Sequence, residues 1–378
     1  MAWPGAGTHR IAAAREAASV RCIYFFAVSH RNFLIFFGSS RPHILGIAGG
    51  ALGAAPGTDG GDDMKGLEKV WIYVEARAPA SDALAAAAEA TQRGDGTLTV
   101  IGAVGRSEDQ VFRTSFGQKV LRMVREDRES RLRSLEELAR SSLPPGRVRS
   151  TMLDGEVPWH SVVLHAIAHP PDILVVPARG DDPFGPDSET LHFFRKCPVP
   201  VWSVYPGSVP FPRRVLAAVD PGVSGSVERD LARRVLELAL RVAGTRPIEL
   251  HAANAWSIPG EALIRSKFGA KRTKAFRDRQ RQLAREQLEE LIAEAHLGSS
   301  IAGTHLPAGN PASAIPALAE ELDADLVVLG SSGHKGLAGI LIGSTAEAIV
   351  TRMARSVAVV KPTGYVSPVR PMAAAEIR

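Results

Sequence analysis

At 378 residues the chain has room for two ordinary domains, and its 45% hydrophobic and 22% charged residues describe a globular protein. A formal charge of +5, with arginines spread along polar helix faces, argues against a nucleic-acid stripe. The two cysteines, Cys22 and Cys197, exclude a disulfide framework and a four-cysteine zinc site, which makes the reducing cytoplasm the expected compartment.

Residues 1–63 do not read as a domain. The segment is Gly/Ala-rich, has no sustained period, and closes on Gly57-Thr-Asp-Gly-Gly-Asp-Asp63. Its most apolar part, Cys22 to Gly38, is interrupted by Ser29-His-Arg-Asn32 and is too short to cross a membrane. A clear strand begins just after Met64, so Met64 is expected to be the true start, with 1–63 an over-called extension. The rival reading is a disordered or targeting tail.

From Met64 the chain reads as two copies of a unit of roughly 150 residues. The first, residues 64–207, has expected strands at Val70 to Glu75, Leu98 to Ala103, Arg147 to Met152, Ile173 to Val176 and Val199 to Val204. Between them lie an alanine-rich helix, Ser81 to Gln92, and a charged one, about Gln118 to Arg140. The second, residues 212–362, repeats the order more cleanly. Its expected strands are Val215 to Asp220, Ile248 to Ala253, Ile301 to His305, Leu326 to Gly330 and Val357 to Val360. A helix carries Val227, Leu231, Val235, Leu238 and Val242 at helical spacing, with Gly244 as its cap. A charged helix is expected from Thr273 to Ala295. Another follows the Gly309-Asn-Pro311 turn, and Pro316 should shorten or kink it. Residues 363–378 are expected to form a disordered tail. Alternating strands and helices predict a parallel sheet covered on both faces.

The chemistry concentrates at Gly330-Ser-Ser-Gly-His-Lys-Gly-Leu-Ala-Gly-Ile-Leu-Ile-Gly-Ser344. This stretch follows the buried-strand run Asp325-Leu-Val-Val-Leu329 and leads into a helix, with Ser344 and Glu347 spaced as a capping box. Glycines between a strand and a helix let backbone amides approach a phosphate. Asp220 closes the first strand of this copy and Gly330 the fourth. If these strands are neighbours at the reversal of strand order, the acid lies beside the phosphate loop. There it would bond a ribose hydroxyl or help hold a magnesium ion.

The spacing Gly-x2-Gly-x9-Gly-Ser resembles the ATP-binding signature of the universal stress protein family. So do Asp220, the Gly309-Asn-Pro311 turn and the Asp323-Ala-Asp325 lead-in. The resemblance spans residues 64–362, with the full signature only in the second copy. It implies two tandem doubly wound five-stranded parallel sheets, Rossmann-like and similar to the adenine-nucleotide alpha-hydrolases. It also implies ATP or AMP as ligand, with Mg²⁺. The amides of Gly330, Gly333, Gly343, Ser344 and Thr345 would hold the phosphates, with the Ser344 hydroxyl and an approach from His334. Asp220 would lie by the ribose and metal, with Ala218 and Val219 beside it. Ala252 would touch the adenine and Leu329 would line its other side. Two copies of this kind pair through their last strands, so the chain would make an intramolecular pseudo-dimer, with a homodimer left open.

The first copy departs from the signature. Pro177 stands where the first glycine should be, Asp187 where the third should be, and Glu75 replaces the aspartate of strand one. This copy is expected to have lost the nucleotide. His165 and His169, with His160 nearby, have a spacing that can seat zinc but lack a third ligand, so ordinary helix-surface histidines are the expected reading. Cys197 is expected to be a buried small hydrophobe, and His251 a satisfied core or edge histidine. The basic run Arg265 to Arg285 reads as the solvated face of a helix, with a lid or partner surface as its rival.

The function these features support is a stress-response or regulatory nucleotide sensor with an unidentified protein partner and no membrane or specific nucleic acid. No Walker lysine, arginine finger or positioned base is found, so catalysis beyond slow ATP hydrolysis is not expected. The alternatives are a purely structural protein, or an adenylyl-transferring enzyme, whose His-x-Gly-His and Ser-Gly-Gly-x-Asp-Ser strings are absent.

Overall fold

Short apolar runs bounded by glycine, proline or charge become the strands of a single sheet, and the longer periodic segments become the helices that cover it. The computed structural model describes residues 66–74, 80–105, 114–155, 157–178, 188–222, 226–243, 247–332 and 343–371. The first copy runs β1 (Lys69–Tyr73), α1 (Ser81–Arg93), β2 (Thr97–Gly105), α2 (Ser115–Ser142), β3 (Val148–Gly155), α3 (Pro158–Ala168), β4 (Ile173–Pro177), α4 (Ser188–Lys196), β5 (Val201–Val204). The second runs β6 (Arg214–Ala218), α5 (Val227–Ala243), β7 (Glu249–Ala253), α6 (Glu261–Glu294), β8 (Ile301–His305), α7 (Pro311–Glu321), β9 (Leu326–Gly330), α8 (Ser344–Val350), β10 (Ser356–Val360).

The ten strands lie in the order β3-β2-β1-β4-β5-β10-β9-β6-β7-β8. Pairing is parallel within each half, and the halves meet through the antiparallel pair β5–β10, with Ala358 opposite Trp202. Inner strands are apolar throughout because helices cover both faces. Leu326, Val327 and Val328 are wholly buried. One face packs Leu231, Val235 and Leu288 from α5 and α6, and the other Ile315, Ala346 and Ile349 from α7 and α8. Arg229, itself buried, ties α5 to α6 through Glu294 at 2.9 Å and Glu290 at 3.3 Å.

A shared clamp shows the internal repeat. Asp172 Oδ2 accepts from the amides of Glu68 and Lys69, both at 2.8 Å. Asp325 Oδ2 accepts from those of Arg213 and Arg214 at 2.7 and 2.9 Å. In each copy the carboxylate preceding the fourth strand fastens the start of the first. Asp172 also takes Arg241 of the other half at 2.8 Å. Burial by itself would raise the Asp172 pKa, yet Arg241 and the two amides outweigh it and hold the carboxyl below its ordinary range.

Four local readings are corrected. Helix α6 begins at Glu261 rather than Thr273, and non-helical Gly269 (φ 78°, ψ 168°) interrupts it, which only a residue without Cβ adopts freely. Pro316 lies inside α7 without ending it. The carbonyl of Ala312, deprived of its usual amide partner, accepts instead from the Arg352 guanidinium at 2.9 Å. Gly343, not Ser344, is the N-cap of α8, and no side chain caps it. Glu347, expected to reach back, pairs with Arg195 of the first copy at 2.7 Å. Residues 363–371, assigned to a disordered tail, pack on α4. There Tyr365 Oη donates to the Arg195 carbonyl and Ser367 Oγ to that of Lys196, both at 2.7 Å, and Val369 is buried. The strands Ile301–His305 and Leu326–Gly330 lie where expected, and the remaining boundaries among the described residues shift by at most three residues.

Removing the Asp325 clamp strands two backbone amides, so Asp325→Ala should lower unfolding stability by about 1–3 kcal/mol, read from the urea midpoint. Asp172 has a folded pKa below its unfolded one. Its stabilisation is therefore complete above the ordinary aspartate range and lost as pH falls through the lower folded value. Asp172→Asn should accordingly flatten the loss of stability on acidification below about pH 4.

Candidate functional site

In the second half, β7 and β8 extend to one side of β6 and β9 and β10 to the other, so strand order reverses between β6 and β9. Ala218 pairs with both Ala253 and Leu329. The chain adds one more rung, Val219 N to Ala253 O at 2.9 Å, and then turns outward at Asp220, which is exposed. Gly222, at φ +60°, completes the turn. A side chain there would be strained and would meet Ser226 Oγ at 2.8 Å. Ser226 Oγ accepts from the Arg229 amide at 3.1 Å at the start of α5. Asp220 and Gly330 thus close neighbouring strands at the reversal, the arrangement in which parallel sheets receive ligands.

Beyond Gly330, the Ser331 amide donates to Val360 O at 2.9 Å, while its buried hydroxyl does two things. Oγ accepts from the Gly343 amide at 3.4 Å and from the Lys361 ammonium at 3.1 Å. One hydroxyl therefore draws together the two ends of the glycine signature. Ser344 and Thr345 follow on the first turn of α8 and are exposed. The first amides of a helix have no partner within it, so those of Ser344 and Thr345 are available as donors. Gly333 and His334 lie outside the described residues.

The two glycines differ in what demands them. A Cβ on Gly330 would meet the Leu231 side chain at 2.6, 2.8 and 3.1 Å, so helix–strand packing requires this glycine. On Gly343 the nearest atom among the described residues would be Ser332 Oγ at 3.9 Å, so none of them demands a glycine there.

The expected adenine contacts are not brought together. Side chains alternate across a sheet, and Ala252, wholly buried, shares the face of Ala217 and Val328 towards α5. Leu329 points to the other face with Ala218 and Ala253. Ala252 and Leu329 thus cannot flank one ring between them. Ala253 is the β7 residue on the Leu329 side, and two adjacent alanines offered no signal to choose between them.

Lys361, the first residue past β10, was not singled out by sequence. It is 2% exposed, burial pushes its ammonium down to about 8, and it lies 5.0 Å from the Tyr365 ring centre. Cys197 is wholly buried, as expected, and burial pushes its thiol up to about 12.

The histidines serve packing. His251 and His305 share a ring-to-ring hydrogen bond at 3.1 Å, and His165 stacks on Trp71 at 4.8 Å. Burial lowers all three pKa values. Among the described residues no cluster of three or more His, Cys, Asp or Glu could hold a metal, and no helix is long and apolar enough to cross a membrane.

In the first copy the equivalent of the Ser331 rung is Ala178 N to Val204 O at 2.8 Å. Pro177 therefore sits in the place of Gly330, Ala178 in that of Ser331 and Tyr205 in that of Lys361. Glu75 and Asp187 lie outside the described residues.

Residues 212–361 match the model of the Universal stress protein family. The chain is 29% identical over 230 residues to Universal stress protein E of Salmonella typhi, covering 57% of this chain and 70% of that one. It is 30% identical over 184 residues to Universal stress protein E of Escherichia coli strain K12, covering 47% of this chain and only 56% of that protein. A solved universal stress protein from Archaeoglobus fulgidus DSM 4304 is similar with a TM-score of 0.55 at 18% identity, over 79% of this chain and 98% of that one. A functionally unknown protein from Pseudomonas aeruginosa PAO1 gives 0.57 at 19% identity, over 79% and 94%. At these identities the structural likeness shows a shared fold.

Gly330→Ala should destabilise the chain by about 1–3 kcal/mol through overpacking against Leu231. Gly343→Ala should change stability by less than about 1 kcal/mol. Urea unfolding of both variants checks the contrast.

Proposed function

Since the chain belongs, through residues 212–361, to the universal stress protein family, we propose that it is an ATP-binding stress-response or regulatory protein of the cytoplasm. In this reading the C-terminal copy holds the nucleotide, and the first copy is a scaffold that has lost its site. The observation that carries the reading is the convergence of Asp220, the Gly330-Ser331 turn and the Gly343-Ser344 helix start on the carboxyl ends of adjacent strands. The amides of Ser344 and Thr345 and the Ser344 hydroxyl would hold the phosphates, with Gly343, its amide engaged by Ser331 Oγ, setting the start of α8, and Gly333 and His334 completing the loop. Asp220, exposed at the strand end, would bond the ribose or reach a Mg²⁺ that bridges the phosphates. Its charge would oppose bare phosphate, so sugar or metal must lie between them. Ala218 and Leu329, on one face of the strand ends, support an apolar edge for the adenine, while Val219 lies on the other face with Ala217.

The residues suit binding better than turnover, because the sequence holds no Walker lysine and offers no arginine finger or positioned base. Nucleotide would act by favouring one conformation that a protein partner reads. One observation favours a structural protein without a nucleotide site: packing against Leu231 demands Gly330 whether or not anything binds.

Thermal unfolding with Mg-ATP, Mg-AMP and no ligand separates these readings. Nucleotide at a hundred times its Kd should stabilise the chain by about 2.7 kcal/mol. No shift at millimolar nucleotide would leave the structural reading. Gly343→Asp should abolish ATP binding with the fold intact, since among the described residues only Ser332 Oγ, at 3.9 Å, comes near the new side chain and its charge opposes the phosphates. In hydrogen exchange, ATP should protect the second copy around Ser331 and α8 and leave β4 and α4 unchanged; protection of the first copy would contradict its assignment as a scaffold.

A further inference from the structure

Lys361 presents an imbalance of charge. A buried ammonium is normally matched by a carboxylate, because desolvation of an unpaired cation is expensive. Among the described residues its ammonium has one hydrogen bond, to Ser331 Oγ at 3.1 Å, and one ring, that of Tyr365. The acidic groups that face it do not supply a negative charge. The Cys197 thiol and the Tyr365 phenol are each pushed up to about 12, mainly by burial, and stay neutral. The Asp230 carboxylate reaches the same tail but is engaged by Thr363 at 2.7 Å and Arg233 at 3.0 Å. Segment 333–342, which joins the two ends of the signature, contains no aspartate or glutamate.

The position of this cation is equally specific. Val360, the residue before it, is paired with Gly330, and the Ser331 hydroxyl that Lys361 holds also receives the Gly343 amide. That hydroxyl accepts twice and keeps its own proton to donate. The two copies sharpen the point. Where the first copy has Pro177 for Gly330, it also has Ala178 for Ser331 and Tyr205 for Lys361, so glycine, hydroxyl and cation are absent as a set.

We infer that Lys361 is the phosphate-binding cation of the nucleotide site, seated on Ser331, with the polyphosphate of the ligand as its missing counter-ion. The inference rests on the nucleotide-binding reading of the second copy and names the charge that reading lacked. It makes Ser331 a positioning residue, which aims the ammonium and holds Gly343 in register with it.

The test is calorimetric titration of the full chain with Mg-ATP and with adenosine, which has the same base and sugar but no phosphate. Lys361→Met should weaken Mg-ATP by roughly 10–100-fold, the range of a charged hydrogen bond, and leave adenosine within twofold. Lys361→Arg should retain the preference for ATP. Ser331→Ala should show a smaller loss, also confined to ATP. Unchanged ATP affinity in Lys361→Met overturns the inference. So does a parallel loss of ATP and adenosine, which would mark a merely structural lysine. Should Lys361→Met fail to fold by circular dichroism, Ser331→Ala decides, and an unaltered ATP-to-adenosine ratio overturns the proposal. A wild-type chain that binds neither compound sinks the nucleotide reading itself, a result distinct from binding that ignores Lys361.

Discussion

The antiparallel contact between β5 and β10 is the constraint on which the rest of the architecture depends. Each half ends on an apolar strand buried on both faces, and such an edge would template association with any exposed strand. Joining Val201, Trp202 and Ser203 to Val359, Ala358 and Val357 covers both edges within one chain. The junction then recruits polar partners. Ser356 Oγ takes the Tyr205 amide at 3.0 Å and shares a hydrogen bond with Ser208 at 2.8 Å. On the other side Glu347 reaches Arg195, and the segment after β10 lies on α4. Cys197, Lys361 and Tyr365 come together because two copies meet here.

The strands were legible because inner positions of a doubly covered sheet must be apolar. The runs at Ile173, Val215, Leu326 and Val357 leave little choice of assignment. The adjacency of Asp220 and Gly330 was a condition that the alternation of elements left open, and the strand order, with β6 beside β9, meets it. Other features were hidden for physical reasons. Gly269 allows a basic helix to begin twelve residues early, and no apolar period announces its first turns. Ala252 and Ala253 carry no mark of which faces which side. Pro316 reads as a breaker until Arg352, far along the chain, supplies the missing donor. Lys361 carries no signal in the sequence, and only the fold shows it buried, with Tyr365 of the following segment 5.0 Å from its ammonium.

The two copies illustrate which features a fold must keep and which it can lose. Both retain the aspartate clamp at the start of the fourth strand, because two amides depend on it in each case. Both retain five strands in the same order. The carboxyl ends of the strands differ, with Gly330, Ser331 and Lys361 answered by Pro177, Ala178 and Tyr205. Of these, Gly330 answers to packing against Leu231, so its replacement goes with a change in how the strand end meets its helix.

The closing pair also has a temporal aspect. Strand β10 leaves the ribosome after everything else in the sheet, roughly 150 residues behind β5, which at ~5–20 residues per second is a wait of about 8–30 s. Throughout that interval the first copy carries an open apolar border that its eventual neighbour has yet to fill. The growing polypeptide therefore passes through a stage when chaperones, or another nascent chain, compete for a seam that the finished molecule keeps for itself.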